Sequence, residues 1–191
     1  MFNFHTHFLG LNNLPPSACA AWIIRPGMEF GANAAWWGGR KPRKNPHEGI
    51  DLCLFRNSAG AIRSIGYRHL IPSVCDGVVA ALVADFMGTS VFVKSGRRRA
   101  DGKTLYLLYG HLRPSSGIAP GCAITGGEPV GSVSDAALKA DGPTPHLHVS
   151  TAFLHDGFPP DMLNWRELAE GGAEFVDPID FLEMPILFDR M

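Results

Sequence analysis

Two histidines stand one residue apart in the stretch Thr144-Pro-His-Leu-His-Val-Ser150. The β-forming residues after the proline predict a strand. Successive strand side chains point to opposite faces, so His146 and His148 share one face while Leu147 and Val149 point the other way, into a core. Two imidazoles on one strand face can act as metal ligands, or as one ligand beside one proton-transfer group. The same spacing also arises on a solvated edge strand where neither ring has a role.

A second constellation is His47-Glu48-Gly49-Ile50-Asp51. A tight turn at Gly49 lets an imidazole and a carboxylate converge, and Asp51 then leads into a strand that would hold it rigidly. Histidine nitrogen and carboxylate oxygen are ordinary zinc ligands at ~2.0–2.2 Å. A third ligand can come from His146 or His148. Three protein ligands and one open position make a catalytic zinc site rather than a structural one. A further histidine, His111, closes the β-forming run Leu105-Tyr-Leu-Leu-Tyr-Gly-His-Leu112 beside Gly110, where the backbone can be approached closely. Its plain alternative is a strand-end ring bonded to a backbone carbonyl. Cys53 falls on the strand face of Asp51 and reads as core. His5, His7, His69 and His155 lie in no motif and read as surface or core. The chain carries neither HExxH nor G-x-S-x-G.

The elements that must position these residues are short. Residues 1–20 read as an arm, followed by a strand over 21–27. FGANAAWWGGRKPRKNP at 30–46 reads as a loop, with Trp36 and Trp37 either covering the core or walling a substrate groove. HEGIDLCLF at 47–55 turns into a strand. VCDGVVAAL at 74–82 reads as two strands joined at Asp76-Gly77, and Asp101-Gly102 marks a hairpin between the runs 90–94 and 104–109. The triplet Arg97-Arg98-Arg99 reads as that hairpin's solvated tip. Short strands follow near 123–125, 129–133 and 146–153. Asp161–Ala169 is the helix candidate, with Asp161 as its cap and Gly171-Gly172 past its end. Many short strands, one short helix and no βαβ alternation predict a mainly antiparallel β domain.

Composition sets the outer bounds. The 191 residues are 46% hydrophobic and 18% charged, with 22 glycines and 15 prolines, as expected of a globular, turn-rich chain. A formal net charge of −1 gives no electrostatic case for nucleic acid. No apolar run approaches the ~20 residues of a membrane span. The N-terminus lacks the basic and apolar regions of a signal peptide, so the chain reads as cytoplasmic, or as cell-envelope or secreted if another route exports it. The four cysteines, Cys19, Cys53, Cys75 and Cys122, form no CxxC pair and are expected as reduced, packed thiols.

Taken in order, HxxxD at 47–51, YxHL at 109–112 and HLH at 146–148 resemble the lysostaphin/LytM-type zinc metallopeptidases. The resemblance covers roughly 29–182. It includes Phe30-Gly31, HEGIDL, the run at 76–82, Pro129-Val-Gly131, GPTPHLHVS and the closing Val176-Asp-Pro-Ile-Asp-Phe-Leu182. It implies an antiparallel fold of the duplicated hybrid motif type over 29–182, after an N-terminal arm and leading strand at 1–28 and before a tail at 183–191. It implies one Zn2+ held by His47, Asp51 and His148, with His111 and His146 serving the attacking water and the transition state. The implied activity is endopeptidase cleavage of peptidoglycan stem or cross-bridge peptides by a zinc-activated water. A non-catalytic scaffold of the same fold, binding a wall peptide or protein partner, is the alternative. The segments FRNSAGAIRSIGYRHL and SDAALKADGPTPHLH depart from the family's pattern. With Trp36, Trp37 and the turn-rich 134–145 segment as walls, the groove is expected to take an extended peptide with small residues at the cleaved bond. Oligomeric state is not legible.

Overall fold

The computed structural model describes residues 3–135 and 142–189. Half of the expected groove wall at 134–145, residues 136–141, and the last two residues of the tail lie outside the described residues.

The chain opens with a helix, α1 (Phe4–Leu11), then β1 (Ala21–Ile24), β2 (Ile50–Leu52), β3 (Leu54–Arg56), β4 (Ile62–Ser64) and β5 (Leu70–Pro72). The long strands follow: β6 (Gly77–Ala84), β7 (Thr89–Arg98) and β8 (Lys103–Pro114). After β9 (Ala123–Ile124), β10 (Pro129–Val133) and β11 (Leu147–His155) come a very short helix, α2 (Trp165–Glu167), β12 (Glu174–Val176) and β13 (Ile186–Phe188). Among the described residues the strands make two sheets. One has the order β13-β1-β3-β4; the other runs β12-β11-β8-β7-β6-β9, with β2 on β11 and β10 bridging β8 and β5. All pairings are antiparallel except β1 with β13. The architecture is mainly antiparallel β.

The run TLYLLY in β8 is buried throughout because both faces of the large sheet are covered. Leu105, Leu107 and Tyr109 enter the main core with Val91, Val93, Val149 and Trp22. Tyr106 and Leu108 point the other way, into a smaller cluster with Phe92, Ala152, Leu154, Leu163 and Leu168. That second face is closed by the segment 160–172, and the candidate site opens beside it.

Three local expectations are corrected. The arm contains α1, so there are two short α-helices rather than one. Asn3 caps α1 by accepting from Thr6 N–H (2.9 Å), and Phe4 and Phe8, one turn apart, are fully buried. The helix expected at Asp161–Ala169 is broken: 160–162 is a 3₁₀ turn, Asn164 is extended (φ −147°), and the α-helical turn starts at Trp165 with Asn164, not Asp161, as its cap. The expected hairpin at Asp76-Gly77 is the start of a single strand, β6, which pairs with β7 from Gly77↔Ser95 to Ala84↔Thr89 with one register shift between Val79 and Ala81. The hairpin at Asp101-Gly102 does form between β7 and β8.

Phe8 packs edge-on to Trp22 (5.0 Å between centroids) and stacks on His69 (5.6 Å), while Asn12 clamps the helix end to both backbone groups of Leu70. Phe8→Ala should therefore lower the unfolding free energy by about 3–5 kcal/mol, as for other buried aromatics, read by denaturant titration. A loss within ~0.5 kcal/mol, as at a surface position, would show that α1 unfolds independently of the core.

Candidate metal centre

The centre forms where β2 and β11 pair. Their register sets Asp51 directly opposite His148, flanked by Leu52↔Leu147 and Ile50↔Val149. Gly49 serves this close approach. The backbone bends at Glu48-Gly49 as expected from the sequence, and a Cβ on Gly49 would also run into the carbonyl oxygen of Val149, so the position must leave space for β11 as well. Gly110 plays a similar part on the other side of β11, where a Cβ would lie 3.1 Å from that of His148.

His47, Asp51 and His148 are buried and each turns one ligand atom inward; these atoms lie within 4.8 Å of one another. His47 Nε2 is 3.2 Å from His148 Nδ1 and 3.4 Å from Asp51 Oδ1, and His148 Nδ1 is 2.9 Å from Asp51 Oδ1. Donors at the corners of a tetrahedral zinc with ~2.0–2.1 Å bonds stand about 3.3 Å apart, so the spacing fits. The outer partners fit as well. The carbonyl of Glu29 can only accept, so His47 Nδ1 carries the proton (3.0 Å) and Nε2 keeps its lone pair for the cluster. His148 Nε2 meets Ser150 Oγ at 2.8 Å, leaving Nδ1 toward the cluster. The far oxygen of Asp51 accepts from Trp36 Nε1 (2.7 Å) and lies 3.6 Å from the Arg43 guanidinium. Such outer hydrogen bonds orient metal ligands. Among the described residues no other group of histidines, cysteines and carboxylates is arranged to hold a metal.

His146 directly precedes β11 and lines the same cavity as His148, but it is not one of the three residues whose ligand atoms converge. Its Nδ1 donates to the Thr144 carbonyl (2.8 Å), and its Nε2 lies 3.5 Å from Asp51 Oδ1. Burial pushes its imidazole down to about 4, against the opposing pull of Asp51. Burial also opposes ionisation of Asp51, yet the neighbouring imidazoles of His146, His148 and His47 hold its carboxyl well below the usual range.

His111 reaches the same place by a β-bulge. Thr89 pairs with Leu112 and Val91 with Tyr109, so β8 has one residue more than β7 across this step. His111 takes up the excess with φ +63°. Alternation alone would send it into the main core with Tyr109. The bulge resets the phase, Leu112 takes the core position, and the His111 ring stands 4.7 Å from that of His146.

The resulting cavity, about 380 Å³, is lined by all five of these residues and by Trp37, Phe86 and Trp165, with Arg43, Glu48 and Asp85 among its polar groups. Trp37 is thus a wall, whereas the Trp36 indole N–H is spent on Asp51. Cys53 is buried outside the cluster, and burial pushes its thiol up to about 11. Sequence reasoning missed Asp85, Phe86, Arg43 and Trp165. Asp85 and Phe86 belong to the β6–β7 turn and Trp165 to the segment covering the second sheet face, so only chain packing brings them here. Arg43 lies in the same loop as the tryptophans and was legible as a basic neighbour.

No protein-family model matches the chain, and no curated protein matches it. Several solved structures are similar to it. A protein assigned as a glycyl-glycine endopeptidase, lytM, from Ruminococcus gnavus is 19% identical with a TM-score of 0.48, over 74% of this chain and 50% of that one. Lysostaphin is 17% identical with a TM-score of 0.41, over 60% of this chain and 39% of its own. A mutant of the catalytic domain of the prophage-encoded M23 protein EnpA from Enterococcus faecalis is 21% identical with a TM-score of 0.41, over 71% and 78%. The chain thus spans half the length of the first and less of the second.

Proposed function

We propose that this chain is a zinc-dependent metalloendopeptidase of the lysostaphin/LytM type, acting on peptidoglycan stem or cross-bridge peptides, with residues 29–182 as its catalytic unit. One observation carries the proposal. Three buried ligand atoms spaced for a tetrahedral divalent ion share a cavity with two further imidazoles that the ligand set does not use.

In this assignment His47, Asp51 and His148 hold the metal. Bound zinc would supply a Lewis acid for the scissile carbonyl and lower the pKa of a water from ~15.7 toward ~7. The rest falls to the chain's own groups. Nδ1 of His146 is committed to the Thr144 carbonyl, so its Nε2 is the atom free to take or return a proton. His111, ring to ring with His146, turns its Nδ1 to Asp85 and so offers its other ring nitrogen as an acceptor for the proton of the attacking water. Trp37, Phe86 and Trp165 present flat walls to an extended peptide. Small residues at the cleaved bond suit a cavity whose floor is already filled by five side chains, and the near-neutral net charge leaves recognition to shape and backbone contacts.

The purified, zinc-loaded chain should release peptide fragments from peptidoglycan, read by mass spectrometry, and leave casein intact. Casein digestion with intact peptidoglycan would reject the wall-peptide assignment. Zinc bound without cleavage of either would favour the non-catalytic scaffold.

A further inference from the structure

The carboxylate of Asp85, in the turn between β6 and β7, is surrounded by donors. Its Oδ1 accepts from His111 Nδ1 (3.0 Å) and from the backbone N–H of Met87 (2.8 Å). Its Oδ2 accepts from the backbone N–H of His111 (3.0 Å) and from Ser90 Oγ (2.7 Å). Ser90 Oγ in turn accepts from Trp165 Nε1 (2.8 Å), which commits the hydroxyl proton to Asp85. The Asp85 side chain is 5% exposed. Burial works against its charge, but the hydrogen bonds from His111 and Ser90 outweigh that and hold its carboxyl far below the usual range.

Two of the four donors belong to one residue. The first is the N–H of the bulged position, held at a positive φ that non-glycine residues rarely adopt. The second is that residue's ring nitrogen. An ionised carboxylate can only accept, so Nδ1 must carry the proton, and the other ring nitrogen of His111 is left with its lone pair in the cavity. We propose that Asp85 is a positioning residue for His111, holding the bulged backbone with one oxygen and fixing the Nδ1–H tautomer with the other. Its catalytic consequence rests on the endopeptidase assignment; its structural content does not.

Asp85→Asn tests this on the full chain, zinc-loaded. The amide offers one acceptor and one donor where four donors converge, so in either orientation its NH2 meets another N–H from His111. Long-range proton–nitrogen NMR should show His111 as Nδ1–H in the parent protein and shifted toward Nε2–H in the variant. Turnover of a peptidoglycan peptide should fall by at least ~10²-fold, the scale of misdirected imidazoles, with KM and zinc stoichiometry unchanged. Ser90→Ala removes a donor that does not come from His111; it should keep the Nδ1–H tautomer and most of the turnover. Parent protein with His111 as Nε2–H would overturn the proposal without any variant. So would a folded Asp85→Asn chain with unchanged tautomer and turnover. If the parent cleaves no peptide, the endopeptidase assignment fails while the tautomer measurement still decides the role of Asp85.

Discussion

Asp51→Ala, dialysed against a chelator and measured for metal, should retain almost no zinc, and its peptidase activity should vanish with it. Disturbing an outer partner of a metal ligand typically costs ~10–100-fold in affinity; deleting one of three direct ligands costs more. Asp51 is also the only anion among the three candidate ligands. Without it, His47 and His148 would present two neutral rings 3.2 Å apart to a divalent cation. Trp36 Nε1 and the Arg43 guanidinium would lose the oxygen they face, so some loss of stability should accompany loss of metal. Full zinc occupancy in a folded Asp51→Ala chain would show that the ligand set is wrong.

His111→Ala and His146→Ala should behave in the opposite way. Neither ring belongs to the group whose ligand atoms converge, so both variants should keep one zinc per chain. Turnover should fall by ~10²–10⁴-fold, the usual contribution of a general acid–base or oxyanion partner. His146 is the sharper test, because its Nε2 stands only 3.5 Å from Asp51 Oδ1. If His146→Ala lost zinc at parental stability while His148→Ala kept it, the roles of the two strand histidines would have to be exchanged. Full turnover in both His111→Ala and His146→Ala, with zinc bound, would remove the imidazoles from the reaction.

Much of this site could be read along the chain because strand geometry is local. A period of two places His146 and His148 on one face whatever surrounds them. An imidazole and a carboxylate four residues apart across a bend were likewise recognisable as side chains that could converge. The β-rich runs that became β7, β8 and β11 were legible for the same reason, as was the Asp101-Gly102 hairpin between the first two.

Other features were not legible because they depend on what packs where. In α1 only Phe4, Phe8 and Leu9 are buried in eight residues, too short a stripe to declare a helix before Trp22 and β5 are there to receive it. Over 161–169 the composition favours helix, but Asn164 turns extended, and the short helix begins late enough for Trp165 to lie against Phe92 and His148. Asp85 in sequence is an ordinary turn residue, since its bond to Met87 N–H is what an aspartate does locally. Its partnership with His111, 26 residues away, exists only once β6, β7 and β8 are side by side. The same holds at the centre itself. Local periodicity makes the two strand histidines equivalent. The register of β11 against β2 then sets His148 across from Asp51 and leaves His146 beside it, and a one-residue slip in that pairing would have turned both rings to the opposite face.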